Sequence, residues 1–459
     1  MFSYMKRGPK FYREVVCLAV PIIIQNLITN SLSLLDTFMV GLLGEGPMAA
    51  VTLANIPVFV INLLIFGLQS GSSVLISQYY GKGDSESINR VMGIGLTAAF
   101  LITALLGCVM CFFPVQFMGL FGNEPEVVTL AARYTRVVAF SFLFDSLALV
   151  YVAVHRAMGN PKLGMYILAA SMITNTVLNW MFIFGNLGAP RLGIEGAALA
   201  TLISRIVEFV IALGHLLFSK RFRVQPAALF HPGVDMLRRY IRYSSPVIFN
   251  ETMWGLGTGL YPTVMGHMAN SQPILAAYGV AGSIERVAIV FVFGLSATAS
   301  IIIGRDIGAG KETSEVEKTG LALATVSFCS GLVVGIGFLF ITWFFTRPIL
   351  YPMFQLTPEA AAIATWMSVV VFTTLSFRSF NSVNTVGVFR GGGDVRMASL
   401  IDLGPLWFAA LPFATITGLV LKQSIYVVYL CIAVENLVKF SFSQYRLRSG
   451  RWIKDVTKE

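Results

Sequence analysis

The sequence predicts an all-α integral membrane protein with twelve transmembrane helices in two pseudo-symmetric six-helix bundles. Three observations predict it: scarce charge, long apolar blocks and an internal repeat. Of 459 residues, 56% are hydrophobic and 12% are charged, and the mean hydropathy is +0.75. A soluble domain carries about 25% charged residues, twice this share.

The apolar residues come in blocks long enough to cross the hydrocarbon core, which takes roughly 20 helical residues. Membrane strands would be shorter and strictly alternating, and no such alternation is present. Twelve spans are expected, near 15–43, 50–80, 90–114, 128–154, 163–185, 193–218, 240–268, 274–303, 319–345, 360–388, 397–421 and 424–444. The basic N-terminus leads into a full-length span, so no cleaved secretory signal is expected. The five cysteines all fall inside spans. Cys108 and Cys111 form a CxxC without a second ligand pair, which reads as packing rather than metal binding.

The net charge of +10 is explained by topology. With a cytoplasmic N-terminus, twenty-four of the 33 Lys and Arg fall in inner segments, among them Lys6, Lys220, Arg221, Arg223 and Arg390. The outer loops hold only Arg191, Arg347 and Lys422. This is the positive-inside asymmetry. It places both termini in the cytoplasm of an inner (plasma) membrane protein and gives no reason to invoke nucleic acid.

The chain repeats itself at about half its length. PIIIQN at Pro21 matches PVIFNE at Pro246; GLQSGSSVLISQYYGKGD at Gly67 matches GLSATASIIIGRDIGAGK at Gly294; HRAMGN at His155 matches FRGGGD at Phe389. The offsets run from about 225 to 234 residues. Each half then holds six spans in the same orientation, a parallel repeat of the kind found in two-lobed transporters. The expected organisation is an N-lobe over 1–218, a basic inter-lobe linker over 219–239, a C-lobe over 240–445 and a tail over 446–459.

Asp36, in SLSLLDTFMVGLLG, is the most conspicuous residue of the first span. An Asp at a helix centre costs about 2.5–3.5 kcal/mol on insertion scales and is a functional candidate by default. On a helical wheel, Gln25, Asn26, Thr29, Asn30, Ser33, Asp36 and Thr37 occupy an arc of roughly 140°, so this face meets protein or water. Asn175 and Asn179 share a face of the fifth span. Asp36, Asn179 and Thr201 all lie roughly 9–12 Å below the outer boundary. A carboxylate, two amides and a hydroxyl at one depth suit Na⁺. They suit a protonated Asp36 equally, because burial disfavours the charged form. The plainer alternative is a network that locks helices together. The repeat places Tyr261, Ala409 and Phe413 opposite Asp36, Asn175 and Asn179, so the polar cluster belongs to the first half alone.

The second half has its own charges: Glu251, Glu285, Arg286, Arg378 and Asp402. Arg378 is placed to pair with Glu251 or Glu285, leaving another acid for a cation. The four histidines are scattered without ligand spacing. GKGD and GAGK lack the spacing of a phosphate loop, so no nucleotide is expected and transport must draw on an ion gradient. No nucleophile, base or metal set of an enzyme appears.

LLDTFMVGLLG, GLQSGSSVLISQYYGKGD, HRAMGNPKLGMY and NTVLNWMFIFGNLGAPRLGIEGAALAT, in that order over nearly the whole chain, resemble the MATE (multidrug and toxic compound extrusion) transporters. The resemblance implies a MATE-like fold and antiport of drugs, mostly apolar organic cations, against Na⁺ or H⁺, with no cofactor and a monomer as the working unit. It implies that Asp36 centres a cation site with Asn175, Asn179 and Thr201, with Na⁺ as a possible ion at Asp36, Asn175 and Asn179. It also implies that Pro21 marks a helix bend and that Gln25, Asn26, Asn30, Ser33 and Tyr261 line the substrate cleft. Glu251 resembles the seventh-helix acid of the sodium-coupled subfamily. Where that subfamily has an Asp in the tenth helix this chain has Ser379 beside Arg378, so Glu251, Glu285 and Arg378 form a possible network rather than a complete sodium site. The competing readings are a lipid-linked precursor flippase, which calls for a cleft rich in Arg or Lys, and a receptor or scaffold, which has no need of Asp36.

Overall fold

A computed structural model describes residues 7–122, 124–219, 222 and 224–458. Lys6, Lys220, Arg221 and Arg223, part of the basic count above, lie outside the described residues. Twelve long helices carry the fold: α1 (Pro9–Gly41), α2 (Glu45–Lys82), α3 (Ser85–Phe112), α4 (Pro125–Ala157), α5 (Pro161–Phe184), α6 (Ile194–Phe218), α7 (Val234–Gly266), α8 (Ser271–Gly308), α9 (Thr313–Met353), α10 (Pro358–Phe389), α11 (Val395–Val420) and α12 (Ile425–Arg448). Eleven are long and apolar enough to cross a bilayer. The other, α7, has 33 residues, so it is long enough, but Arg238, Arg239, Arg242, Asn250 and Glu251 interrupt its apolar surface. It begins at Val234, inside the stretch read from sequence as linker. That stretch also folds a short helix, Pro226–Phe230.

The chain forms two compact units, Ile24–Ile248 and Met1–Ile23 with Phe249–Glu459. The boundaries fall within α1 and α7 rather than near 218 and 240. They fall at equivalent positions of the repeat, after Ile23 and after Ile248. Ile24–Ile248 is called the first unit here, and the remainder the second.

Packing explains why the repeated motifs are rich in glycine. In the first unit, a Cβ on Gly67 would lie 2.8 Å from Ile248 Cα, and one on Gly71 would lie 2.6 Å from Ser244 Cα. Two small residues four apart let the α2 and α7 backbones approach closely. In the second unit, Gly294 on α8 meets Ile23 at the equivalent position, here through the side chain, its Cβ position 2.4 Å from Ile23 Cγ1 and 3.4 Å from Ile23 N. The pair Gly67–Ile248 is thus repeated as Gly294–Ile23. The helix-ending glycines of the motifs are also equivalent: Gly83 and Gly310 have φ of 76° and 71°, and Gly159 and Gly393 have 76° and 83°. Side chains avoid this left-handed region, and glycine enters it freely. Asp84 then opens α3, accepting from Ser87 N at 3.0 Å.

This packing predicts that Gly71→Val destabilises the protein by about 1–3 kcal/mol, because Ser244 Cα and Cβ, both fixed to the α7 backbone, stand in the way. Gly259→Ala on α7 meets nothing within 4 Å and should leave the thermal midpoint in detergent unchanged. Equal midpoints for the two variants would refute the close approach.

Candidate functional site

The first unit assembles the residues that the sequence placed at one depth. Asn179 Nδ2 donates to Asp36 Oδ1 at 2.5 Å and to Asn175 Oδ1 at 2.9 Å. Asn175 Nδ2 in turn reaches Thr201 Oγ1 at 3.4 Å. The spacing of Asn175 and Asn179 stacks their amides on one face of α5, and α6 brings Thr201 against them. The result is a ladder running carboxylate, amide, amide, hydroxyl. Both asparagines are 1% exposed, while Asp36 is half-buried. Asn179 Oδ1 is buried and has no hydrogen-bond partner among the described residues. A buried carbonyl oxygen without a donor is costly, and beside a carboxylate it is suited to accept a cation or a protonated group.

Tyr134 of α4 also belongs to this group. It is buried, hydrogen-bonds Thr201 and lies close enough to Asp36 for their charges to interact. Sequence reasoning missed it because one tyrosine among 15 carries no signal of its own.

The remaining α1 candidates divide. Gln25 is buried and donates to the Pro161 carbonyl oxygen, tying α1 to α5. Asn26 is half-buried, and Asn30 and Ser33 are exposed. Ser33 and Thr37 return their hydroxyls to their own helix, at 3.3 Å and 2.9 Å. The helix runs unbroken through Pro21. Tyr261, the equivalent of Asp36, is a buried residue of the second unit whose hydroxyl donates to Glu435 at 2.9 Å.

The second unit corrects one expectation. Arg378 pairs with Glu285, but Glu251 is not left over for a cation. Arg390 Nη1 binds it at 2.6 Å, with the arginine side chain 1% exposed. Arg390, counted from sequence as an inner-loop charge, is therefore an interior residue. It follows a stretch of wider, π-helical turns at Val383–Phe389. Lys439 of α12 meets Asp402 at 2.9 Å and Glu435 at 2.5 Å, and Asn250 donates to Asp402 at 2.9 Å. Every acid of this set has a cationic partner. Sequence alone could not find Arg390 because its neighbours, FRGGGD, read as a turn. Arg286 reaches Ser283 at 3.5 Å, on a different face from Glu285.

The histidines are less scattered in space than in sequence. His155 and His215 are in edge-to-face contact with ring centroids 5.1 Å apart, and Tyr151 Oη lies 2.7 Å from His215 Nδ1.

The MatE family model matches this chain twice, over residues 21–181 and 246–416. The chain belongs to the MATE family. The two matches coincide with the two halves of the repeat. The protein is similar to the probable multidrug resistance protein YoeA of Bacillus subtilis, with 25% identity over 97% of this chain and 96% of the relative. It is 26% identical to the probable multidrug resistance protein NorM of Agrobacterium fabrum, over 88% and 86% of the two chains. Its fold is that of a MOP superfamily transporter from Pyrococcus furiosus, with a TM-score of 0.84, 21% identity and 98% of each chain covered. The protein is thus a multi-pass membrane transporter of the MATE family, not an enzyme.

The Glu251–Arg390 pair gives a test of the second unit. Breaking a buried ion pair from one side costs about 3–5 kcal/mol, whereas replacing both partners with apolar groups is often neutral. Arg390→Met should therefore destabilise strongly, and Glu251→Met with Arg390→Met should recover most of the loss. If the double variant is no more stable than the single one in a detergent melt, the pairing is wrong.

Proposed function

We propose that the protein exports apolar organic cations by antiport against H⁺ or Na⁺, with Asp36 as the coupling residue. The observation that carries this reading is the ladder from Asp36 through Asn179 and Asn175 to Thr201, with the unpartnered buried oxygen of Asn179 beside Asp36. It occurs in one half of a repeated fold, so the fold does not require it. The relatives' names as multidrug resistance proteins supply the substrate class.

Asp36 alternates between two states. As a carboxylate it attracts an organic cation. When a proton binds it, or when Na⁺ binds between it and the oxygens of Asn179 and Thr201, that attraction is lost and the drug leaves. Asn179 holds the carboxylate in place and offers its own oxygen. Access alternates between the two sides of the membrane as the two lobes move, so each cation bound on one side is exchanged for a drug carried from the other. The protein works as a monomer in the plasma membrane with both termini cytoplasmic and without a cofactor.

The test is efflux of a fluorescent cationic dye from proteoliposomes under a pH gradient or a Na⁺ gradient, imposed separately. One gradient should drive efflux by the wild type. Asp36→Asn should abolish it at unchanged protein level. Asn179→Ala should weaken the apparent affinity for the coupling ion about 10- to 100-fold, as expected for loss of a hydrogen bond to a charged group. Normal pumping by Asp36→Asn would reduce Asp36 to a structural role.

A further inference from the structure

The first unit holds a second set of buried charges outside the Asp36 ladder. Arg205 stands one turn beyond Thr201 on α6. Its Nη1 lies 3.1 Å from Asp145 Oδ1 on α4 and 2.8 Å from Glu208 Oε2 on its own helix. Glu208 is 0% exposed, and its Oε1 has no hydrogen-bond partner among the described residues. The groups facing this set come from every helix packed around it. Asp145 and Tyr134 come from α4, Ser171 from α5 beside Glu208, and Asp36 from α1, close enough to interact with the Arg205 charge. The next titratable pair, His155 and His215, begins seven residues further along α6 at His215, about 10 Å away.

The charges do not balance. Two carboxylates share one guanidinium, and Asp36 adds a third acid nearby. An unpaired buried charge costs several kcal/mol even after relaxation, and such a group neutralises instead. Arg205 is the cation that pairs one carboxylate of the set. Neutrality of the set then requires one proton. Among the described residues, two buried oxygens of the set lack a hydrogen-bond partner, Asp145 Oδ1 and Glu208 Oε1; the first lies 3.1 Å from the guanidinium, which leaves Oε1 of Glu208, whose carboxyl also hydrogen-bonds Ser171, as the atom placed to carry it. A metal ion is disfavoured there because the guanidinium already occupies the centre.

We infer that Asp145, Arg205 and Glu208 form a second proton-binding site, in series with Asp36, on the side of it nearer the basic segments of the chain. This rests on the antiport reading above. The interval between the two sites, about 10 Å of helical rise from Thr201 to Glu208, holds two serine hydroxyls, both turned to backbone carbonyls. Ser204 Oγ donates to the Thr201 carbonyl at 2.8 Å, and Ser171 Oγ donates to the Ser204 carbonyl at 3.3 Å. The carboxylate pair first releases its proton towards the cytoplasm. The proton of Asp36 then crosses the interval through water between the two sites, each O–H bond on the way breaking as the next forms, until an O–H bond forms on Glu208 Oε1. Asp36 is left as the carboxylate that attracts the next drug molecule, and each relay oxygen ends with as many O–H bonds as it began with. Only a proton moves, so charge is conserved.

The test has a spectroscopic and a transport arm. Infrared spectroscopy of the purified full-length protein at neutral pH should show the carbonyl stretch of a protonated carboxylic acid. That band should persist in Asp36→Asn and, in that background, disappear on adding Glu208→Gln and return with Glu208→Asp. In proteoliposomes reporting internal pH, Glu208→Gln should slow dye-driven proton movement about tenfold or more, with dye affinity unchanged. If Glu208→Gln does not fold, Asp145→Asn is read for the same loss of the band. Absence of the band in Asp36→Asn overturns the proposal whatever the transport result. So does a band unmoved by both Glu208→Gln and Asp145→Asn. So does efflux driven by Na⁺ alone, which would leave drug antiport through Asp36 standing. A band that behaves as expected in a protein that moves no dye would count against the antiport reading and not against the second site.

Discussion

A charge inside an apolar helical bundle must be met by a partner, and this requirement shapes both units. The desolvation cost is met in two different ways. In the second unit it is met by ion pairing: Arg390 holds Glu251, Arg378 holds Glu285, and Lys439 bridges Asp402 and Glu435. In the first unit Asp36 is met by a neutral amide, Asn179, at 2.5 Å. A carboxylate with a cation to itself is already satisfied, which Asp145 and Glu208, sharing Arg205, are not. One compensated only by hydrogen bonds can still gain by binding a proton or a metal cation. On this difference rests the proposal that Asp36, and not the network of the second unit, is the coupling residue.

The two halves share a backbone plan and differ in what they do with it. The glycine contacts Gly67–Ile248 and Gly294–Ile23 show the same helix approach used twice. The left-handed glycines at helix ends are shared as well. Against this common frame, Tyr261 replaces Asp36 and binds Glu435. One repeat position therefore holds an acid bonded to an amide in one half and a phenol closing an ionic network in the other. The frame supplies the transporter architecture, and the substituted positions make the two halves chemically unlike.

Much of this was legible in the sequence, and the reasons are physical. Helix length and apolarity are local properties, so the spans, the repeat and the depth of Asp36 could be read directly. The shared face of Asn175 and Asn179 follows from their spacing, and the structure joins them to Asp36 and Thr201. Pairings between distant helices were harder. Arg390 sits in a segment that reads as a turn, yet the structure buries it on Glu251. Asp145, Arg205 and Glu208 obey the same rule that singled out Asp36, since each is a charge within a span, but their convergence depends on the packing of α4 against α6. His155 and His215 became neighbours for the same reason. Tyr134 had no sequence signal at all.

The central claim is that one carboxylate serves the coupling ion and the drug in turn. Equilibrium binding of a cationic dye to the purified protein tests this most directly. The dye affinity would be measured across a series of pH and Na⁺ concentrations, and the ion's effect on the dye compared with the dye's effect on the ion. Linkage requires the two effects to be equal. The account predicts that one of the two ions weakens dye binding, by the same factor in both directions, and that Asp36→Asn removes the effect. Dye binding independent of both ions in the wild type would contradict it.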